Sequence, residues 1–423
     1  MQLVEKHIIK SGHRFFDEID ALCFASKNLY NAANYIIRQH FIYGWGYLNY
    51  NAIYKLMKSH ETYKALPAKV SQQILMVLDR NLRSFFEALK AYDSEPEKFT
   101  DRPNLPNYKD KTKGRNILIY TVQALGLPAL RKGLIKLSGT QIEFPTLVDK
   151  EQICQVRIVP KCDCYVIEVI YDQPDSSIAL GSEVVASIDL GLNNLATLTS
   201  NQKGLVPLLI NGRTLKSINQ FYNKRKAILQ SKLKGNRKTS PRIQRLTRSR
   251  NQKIDNYLHQ SSRFIVNHLA EKGIGTLVIG KNTQWKQEID LGKKTNQNFV
   301  TVPHSRFIDM LTYKCNLVGI KVLLTEESYT SKSSFLDNDP IPTYGDADAE
   351  LVVFSGKRVK RGLYKSKNGI FLNADVNGSY NIMRKVIPNV LPEGVGSCVV
   401  QPRRIQPLKV KAKGKAAIPS KSV

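Results

Sequence analysis

Apolar side chains at helical spacing dominate the first hundred residues of the chain. One set recurs at intervals of three and four from about position 17, and a second set follows over about 68–92. A stripe with this period is typical of an amphipathic helix that packs against a core. The pattern therefore predicts a helical block over 17–100. The first stripe comprises Ile19, Leu22, Cys23, Leu29, Tyr30, Ala33, Ile36 and Ile37.

Short β-like runs flank this helical block. One run lies at the start of the chain, and others follow the Pro- and Lys-rich loop at 102–114. Short runs separated by turn residues are typical of a small barrel or sandwich. We therefore predict a small β-barrel domain formed by 1–16 and 101–180, with the helices as an insertion. The later runs are 116–122, 133–137, 141–144, 154–159 and 165–171.

From position 184 the pattern changes to strands that alternate with helices. Three strands come first, followed by helix, strand, helix, strand and helix. This order suits an RNase H-like α/β fold, so the predicted fold class is a multidomain α+β protein. The domain would cover 181–390 and carry an insertion at 333–372. A basic, flexible tail would follow over 391–423.

The charge balance favours a polyanionic partner. The chain has 64 Lys and Arg against 35 Asp and Glu, a net charge of +29. An excess of this size favours nucleic acid over an anionic membrane. The stretch 203–253 holds fifteen Lys or Arg and no acid, although a solvated charged face is the simpler alternative. The predicted contact residues are Lys224, Arg225, Arg242, Arg245 and Arg248, with Lys357 and Arg358 of the insertion.

Cysteine usage and hydropathy bear on the cellular compartment. The six cysteines are scattered along the chain, which does not suit a disulfide scaffold. No apolar run approaches the ~20 residues of a membrane-spanning helix. These features predict no membrane partner and a protein of a reducing cytosol.

Two carboxylates occur where an RNase H-like sheet would bring distant residues together. Asp189 lies in an apolar strand, where a lone charge is costly unless it is paired or bound to a metal. Asp375 lies at the start of the last helix. The alternatives are a strand-end cap for Asp189 and a helix N-cap for Asp375. Carboxylates suit Mg²⁺, and two such ions can clamp both oxygens of a phosphodiester during cleavage.

The segments around these acids resemble a known family. Ser187-Ile-Asp-Leu-Gly-Leu-Asn-Asn-Leu-Ala196 is similar to the first RuvC motif of the TnpB family, and Asn373-Ala-Asp-Val-Asn-Gly-Ser-Tyr-Asn-Ile382 to the third. Ser328-Tyr-Thr-Ser-Lys332 matches the segment between them. The 105–108 loop and the 73–86 helix resemble the family's N-terminal half. The resemblance covers about residues 1–388 and implies a wedge-like β domain, a helical recognition insertion and a RuvC nuclease domain, the plan of compact type V CRISPR effectors.

The resemblance also implies an activity. Members of this family are RNA-guided DNA endonucleases encoded by insertion-sequence transposons, which implies a prokaryotic, nucleoid-associated protein. A guide RNA from the transposon end would pair with one strand of a double-stranded DNA target, and the protein would read a short adjacent motif. Cleavage would need Mg²⁺ or Mn²⁺, bound by Asp189, Asp375 and a third acid.

Two positions depart from the family pattern. The fourth strand ends in Gly280, where the family has an acid, so we predict that Glu327 is the third acid. Its neighbour Glu326 should point the other way on a strand. The family's zinc ribbon also has no counterpart here, because 330–375 contain no cysteine, and no zinc is expected. The insertion would fold by other means or stay mobile.

Two alternative functions follow from these departures. If neither glutamate serves, the chain would be a nuclease-inactive, RNA-guided DNA-binding protein or repressor. A strand-transferring transposase, which also uses three acids, is the other alternative.

Overall fold

The computed structural model describes residues 1–174, 183–281, 302–345, 349–389 and 399–407. The chain divides into two compact units, Met1–Pro174 and Asp175–Val423. None of the helices in the described residues is long and apolar enough to span a membrane.

The first unit contains a four-stranded antiparallel sheet in the order β1-β6-β5-β2. The strands of this unit are β1 (Gln2–Lys10), β2 (Leu118–Thr121), β3 (Leu134–Lys136), β4 (Glu143–Pro145), β5 (Ile153–Lys161) and β6 (Cys164–Asp172). Strand β1 pairs with β6 along its whole length, and β3 and β4 form a separate two-stranded sheet. Across the fully described residues 1–174, β1 and β2 are the edges of the larger sheet, so the predicted closure into a barrel is not confirmed.

Helices fill the sequence between β1 and β2, as their apolar stripes predict. They are α1 (Phe16–Ile42), α2 (Tyr50–Met57), α3 (Glu61–Lys64) and α4 (Ala68–Ser94), and a short α5 (Leu127–Leu130) follows β2. The stripes of α1 and α4 share one apolar core with the sheet, in which Ile19, Leu29 and Ile74 are almost completely buried. Asn49 begins α2 by accepting a hydrogen bond from the Ala52 N–H at 3.1 Å.

The second unit is built on a six-stranded sheet in the order β11-β10-β7-β8-β9-β15. Strands β7, β8 and β9 are antiparallel neighbours, and β10 runs parallel to both β7 and β11. The members are β7 (Val185–Leu190), β8 (Asn194–Ser200), β9 (Leu208–Asn211), β10 (Thr276–Gly280), β11 (Lys321–Thr325) and β15 (Arg403–Ile405).

Within the described residues of the second unit, four helices pack on this sheet or on one another. They are α6 (Arg213–Gln230), α7 (Pro241–Glu271), α8 (His304–Asn316) and α9 (Ala374–Val386). The strands alternate between two apolar cores. Ala186 and Ile188 join the core that contains α7 and α8, whereas Val185 packs with Ile382 and Met383 of α9. Successive residues of β7 therefore face α9 and the other helices in turn.

Strand β15 differs from the flexible tail predicted for 391–423. Residues 403–405 pair in parallel with β9, and the Arg403 N–H donates to the Pro207 carbonyl at 2.8 Å. Val399 is completely buried against the core that contains Leu372 and Tyr380. The edge strand β9 offers backbone N–H and C=O groups for pairing. The charge of the tail, on which the prediction rested, does not show this. Residues 390–398 and 408–423 lie outside the described part of the chain.

The insertion at 333–372 is folded without cysteine. Its strands β12 (Lys357–Lys360), β13 (Leu363–Lys365) and β14 (Phe371–Asn373) form an antiparallel sheet. Asp339 is 6% exposed and accepts hydrogen bonds from the Ser334 N–H at 2.8 Å and from the Ser355 N–H and hydroxyl at 3.0 and 2.6 Å. A buried carboxylate thus joins two segments of this insertion.

Candidate active site

Asp189 lies on the α9 side of the central strand β7. Its neighbour at i−2, Ser187, donates to the Ser379 carbonyl of α9 at 2.6 Å, which fixes the face. Asp189 is also the one position of β7 that is not fully buried. A Cβ atom at Gly378 would lie 2.9 Å from Asp189 Oδ2. Only glycine lets the backbone of α9 come this close to the carboxylate.

Asp375 lies in the first turn of α9 without acting as its cap. The cap is Asn373, whose side-chain oxygen accepts from the N–H groups of Asp375 and Val376 at 2.9 and 3.3 Å. The N-cap alternative for Asp375 is therefore wrong. Its Oδ2 instead accepts a hydrogen bond from the buried Asn194 side chain at 2.8 Å. Asn194 begins β8, so this bond orients Asp375 from the sheet.

Glu327 fills the space beside Gly280, the position where the family pattern has an acid. Gly280 pairs with Thr325, two residues before Glu327. A Cβ atom at Gly280 would lie 2.6 Å from Glu327 Cγ and 2.7 Å from Ile382 Cδ1. Real Cβ atoms do not approach other atoms so closely. Glu327 and a side chain at position 280 are therefore mutually exclusive in this arrangement.

A turn after β11 fixes the backbone of Glu327. The Thr330 hydroxyl and N–H donate to the Glu327 carbonyl at 2.9 and 3.3 Å. Tyr329 takes up a left-handed conformation with φ of 59°, which a residue with a side chain seldom adopts. Asn381 of α9 is completely buried and donates to the carbonyls of Thr330 and Ser333 at 2.9 and 2.6 Å. The helix that carries Asp375 thus holds the turn that carries Glu327.

Glu326 has different surroundings. It forms an ion pair with Lys385 of α9 and accepts a hydrogen bond from the Ser328 N–H at 2.7 Å. The sequence argument separated the two glutamates by strand alternation, but β11 ends at Thr325. The hydrogen-bonded turn, rather than a strand, gives them different environments. The role of Glu327 stays a prediction.

Electrostatic interactions link the three acids. Burial raises the pKa of Asp189 well above its usual value, and the charges of Glu327 and Asp375 raise it further. Burial also raises the pKa of Glu327 to about 7. Arg358 of β12 opposes the shift at Asp189. The ionised site therefore carries negative charge that the protein only partly compensates.

The donor chemistry of this site suits a hard divalent cation. Its carboxylate oxygens are the ligands that Mg²⁺ prefers, and a cation would offset the repulsion that raises the pKa of Asp189. Within the described ranges, however, no three His, Cys, Asp or Glu side chains already stand close enough to hold a metal ion. The residues fit the cation by charge and atom type, whereas their present spacing does not form a closed ligand cage.

The predicted nucleic-acid residues occupy three elements of the second unit, α6, α7 and β12. Lys224 and Arg225 are exposed on α6, Arg242 and Arg245 are exposed on α7, and Arg248 is half-buried there. The neighbouring Arg250 is a packing residue, because it donates to Asn219 of α6 at 2.8 Å. Lys357 and Arg358 lie on the exposed strand β12. No contact with a nucleic acid tests these seven residues.

Sequence comparisons show which known proteins the chain resembles. A model described as OrfB_IS605, probable transposase, matches residues 168–286, and one described as the Cas12f1-like TNB domain matches 304–382. The TnpB-like protein ORF457 of Acidianus two-tailed virus is 25% identical over 91% of this chain and 87% of its own length. The chain is thus similar to a TnpB-like protein over most of its length.

A structural comparison extends this similarity to the fold. The protein in a cryo-EM structure of a Cas12f1–sgRNA–target DNA complex shares 14% identity, with a TM-score of 0.50. The match covers 87% of this chain and 82% of the other. At this identity the likeness concerns the fold, a mixed α/β multidomain architecture.

Asn194, Gly378 and Asn381 are site residues that the sequence reasoning did not single out. All three lie within the two motif segments quoted above, so the motifs contained the signal. Their contacts join residues far apart in sequence, such as Asn194 and Asp375. Strand and helix periodicity therefore could not show what each one touches.

Proposed function

We propose that this chain is a TnpB family member and an RNA-guided DNA endonuclease, with a RuvC-like site formed by Asp189, Glu327 and Asp375. The observation that carries the proposal is the position of Glu327, whose side chain fills the space beside Gly280. The acid expected on β10 is thereby replaced by one from the adjacent turn. The order of three antiparallel strands followed by two parallel ones supports an RNase H-like domain.

The domain plan is part of the same proposal. Residues 1–16 and 101–180 would form the wedge-like domain, 17–100 the recognition insertion and 181–390 the RuvC-like domain. The insertion at 333–372 would correspond to the family's ribbon without its metal. Guide RNA and double-stranded target DNA are the proposed partners, supported by the net charge of +29 and by the acid-free stretch 203–253.

The three carboxylates would hold Mg²⁺ or Mn²⁺, which supplies Lewis-acid activation of the phosphodiester and an activated water. The chain's own residues set the positions of these ligands. Asn194 orients Asp375, Gly378 makes room for Asp189, and Asn381 holds the turn of Glu327. Partial burial of Asp189 and Glu327 desolvates these two carboxylates and raises the pKa of each.

One observation supports each of the two alternative functions, the nuclease-inactive DNA-binding protein and the transposase. The described residues contain no ready-made metal cage, which favours a nuclease-inactive, RNA-guided DNA-binding protein as the second candidate. Strand transfer is supported only by the words "probable transposase" in one family description. Guide dependence separates strand transfer from both guided functions.

A cleavage assay on the co-purified RNA–protein complex tests the proposal. The RNA is sequenced, and a plasmid with the matching target and a randomised flank is incubated with Mg²⁺. We expect guided cuts that Asp189→Asn and Asp375→Asn abolish, while both variants keep their RNA. Tight guided binding without any cut by the unmutated protein would select the nuclease-inactive function, and joining of ends without a guide would select the transposase.

A further inference from the structure

The first unit contains an open cleft of about 440 Å³ beside the Pro- and Lys-rich loop. Asn81 and Phe85 of α4 line one side, and Asn107, Tyr108 and Lys109 of the loop line the other. Its volume lies within the range of sites that bind small organic groups. None of the residues identified so far for catalysis or charge belongs to it.

Side chains of α1 hold the loop wall in place. Asn31 exchanges two hydrogen bonds of 2.9 Å with the backbone of Lys109. The buried Asn34 and the half-buried Arg38 donate to the Pro106 carbonyl at 2.9 and 3.2 Å. Lys27, 2% exposed, donates to the Lys111 carbonyl at 2.7 Å. The wall is thus preorganised, so a ligand would not have to order it.

The chemistry of the lining suits one nucleotide. Three amide side chains, of Asn81, Asn104 and Asn107, offer the paired donors and acceptors that match base edges. Tyr108 is 45% exposed and offers a ring for stacking, with the Arg38 guanidinium 5.1 Å from its centroid. Lys109 supplies a positive charge at the same wall. Within the fully described residues 1–174, no acid is among the lining residues of this cleft.

We propose that this cleft binds one unpaired nucleobase of a single-stranded RNA or DNA, with its phosphate next to Lys109. A base inside a duplex is stacked and paired, so it cannot enter a cleft of this kind. The proposal rests on the proposed function only in supposing that the protein handles nucleic acid. It adds a site in the first unit that contacts a base and not only the sugar-phosphate backbone of the nucleic acid.

Fluorescence titration of the full-length, RNA-free protein tests the cleft. The probes are RNA and DNA single strands of about 12 nucleotides with one 2-aminopurine, and a blunt duplex of the same sequence. Tyr108→Ala should weaken single-strand binding by roughly 5- to 100-fold and remove the quenching, the loss expected for one base–aromatic stack. Tyr108→Phe should keep both the single-strand affinity and the quenching of 2-aminopurine. Duplex binding should change in neither variant, and the RNA and DNA arms show which strand the cleft prefers.

A charge-matched pair separates the cleft from general attraction. Lys109 lines the cleft, whereas Lys111 is an exposed lysine on the same loop that does not. Lys109→Ala should weaken single-strand binding several-fold more than Lys111→Ala. Equal losses from both variants, or unchanged binding by Tyr108→Ala, would overturn the proposal.

The titration is independent of cleavage. A protein that cuts no guided target, yet loses single-strand binding on Tyr108→Ala, would keep the cleft and reject the nuclease. A protein that cuts guided targets, but whose single-strand binding is unchanged by Tyr108→Ala, would keep the nuclease and reject the cleft.

Discussion

The candidate active site and the basic helix pair use charge in opposite ways. At the site, the acids are partly buried, and desolvation raises the pKa of both Asp189 and Glu327, so each carboxylate depends on a few fixed neighbours. Along α6 and α7, Lys224, Arg225 and Arg242 are exposed, so solvent and salt screen their charges. A buried charge is costly, and its effect is concentrated in one residue. Exposed charges act additively through a screened field.

The first way to test this contrast is to remove one carboxylate. Asp189→Asn keeps the size of the side chain and removes its charge. Guided cleavage should fall by at least 10²–10⁴-fold, roughly the loss expected for one preorganised electrostatic group, while RNA binding is unchanged. Single-turnover cleavage measures the effect. A loss below about tenfold would place the active site elsewhere.

The second test disturbs the position of a carboxylate without touching it. Asn381→Ala removes the hydrogen bonds to the Thr330 and Ser333 carbonyls that hold the turn of Glu327. We expect cleavage to fall about 10- to 100-fold, with a rise in the Mn²⁺ concentration that gives half-maximal rate.

A matched control for this second test is Asn377→Ala. Asn377 donates to the Ser333 carbonyl at 2.7 Å from the same helix but makes no hydrogen bond to Thr330. The two variants should lose similar thermal stability. If both also raise the Mn²⁺ requirement equally, Asn381 has only a general packing role.

The third test uses the cost of burying an acid. The folded pKa of Glu327, about 7, lies above its ordinary value of 4.5, so the folded state binds the proton more tightly. The corresponding stability is present below about pH 4.5 and is lost as the pH rises through 7. In chelator, Glu327→Gln should therefore melt at about the same temperature as the parent at pH 4.5 and several degrees higher at pH 8.

Glu326→Gln is the control for this pH dependence. Glu326 pairs with Lys385, so removal of its charge should lower the melting temperature at pH 8. If the melting temperature at pH 8 rose for Glu326→Gln and not for Glu327→Gln, the costly buried carboxylate would be Glu326 and not Glu327.

The smallest effect per residue is expected on the helix pair. Replacing Arg242, Arg245 and Arg248 together by Ala should flatten the slope of log affinity against log salt by up to roughly 0.9 for each phosphate that the variant no longer neutralises. Single replacements should each change affinity only a few-fold. Filter binding to duplex DNA between low and moderate salt measures both. A slope that the triple variant leaves unchanged would mean that this face does not contact nucleic acid.

Periodicity predicted much of the fold because helices and strands are local. The apolar stripes placed α1 and α4 to within about a turn, and the strand 184–190 contains β7. The open sheet of the first unit and the strand β15 could not be predicted, since both depend on which strand edges meet. The role of Asp339 in the insertion could not be predicted either, because Ser355 comes into contact with it only in the folded protein.

The site also contains features that the local sequence indicates and features that only the folded structure shows. Asp189 was predictable because an acid in an apolar strand is conspicuous, and Asp375 because the motif around it resembles the family's. The compensation between Gly280 and Glu327 was inferred only as a hypothesis. Its steric basis, a Cβ position 2.6 Å from Glu327 Cγ, appears only when β10 and the turn after β11 are placed together.

One double substitution tests the central claim that the third acid has moved from position 280 to Glu327. Gly280→Glu with Glu327→Gly returns the carboxylate to β10 and clears the space that Glu327 occupies. Guided, Mg²⁺-dependent cleavage rates would be measured for this protein, for Glu327→Gly alone and for Gly280→Glu alone. We expect both single variants to be strongly impaired and the double variant to cleave at least about tenfold faster than Glu327→Gly. Full cleavage by Glu327→Gly alone would contradict the account.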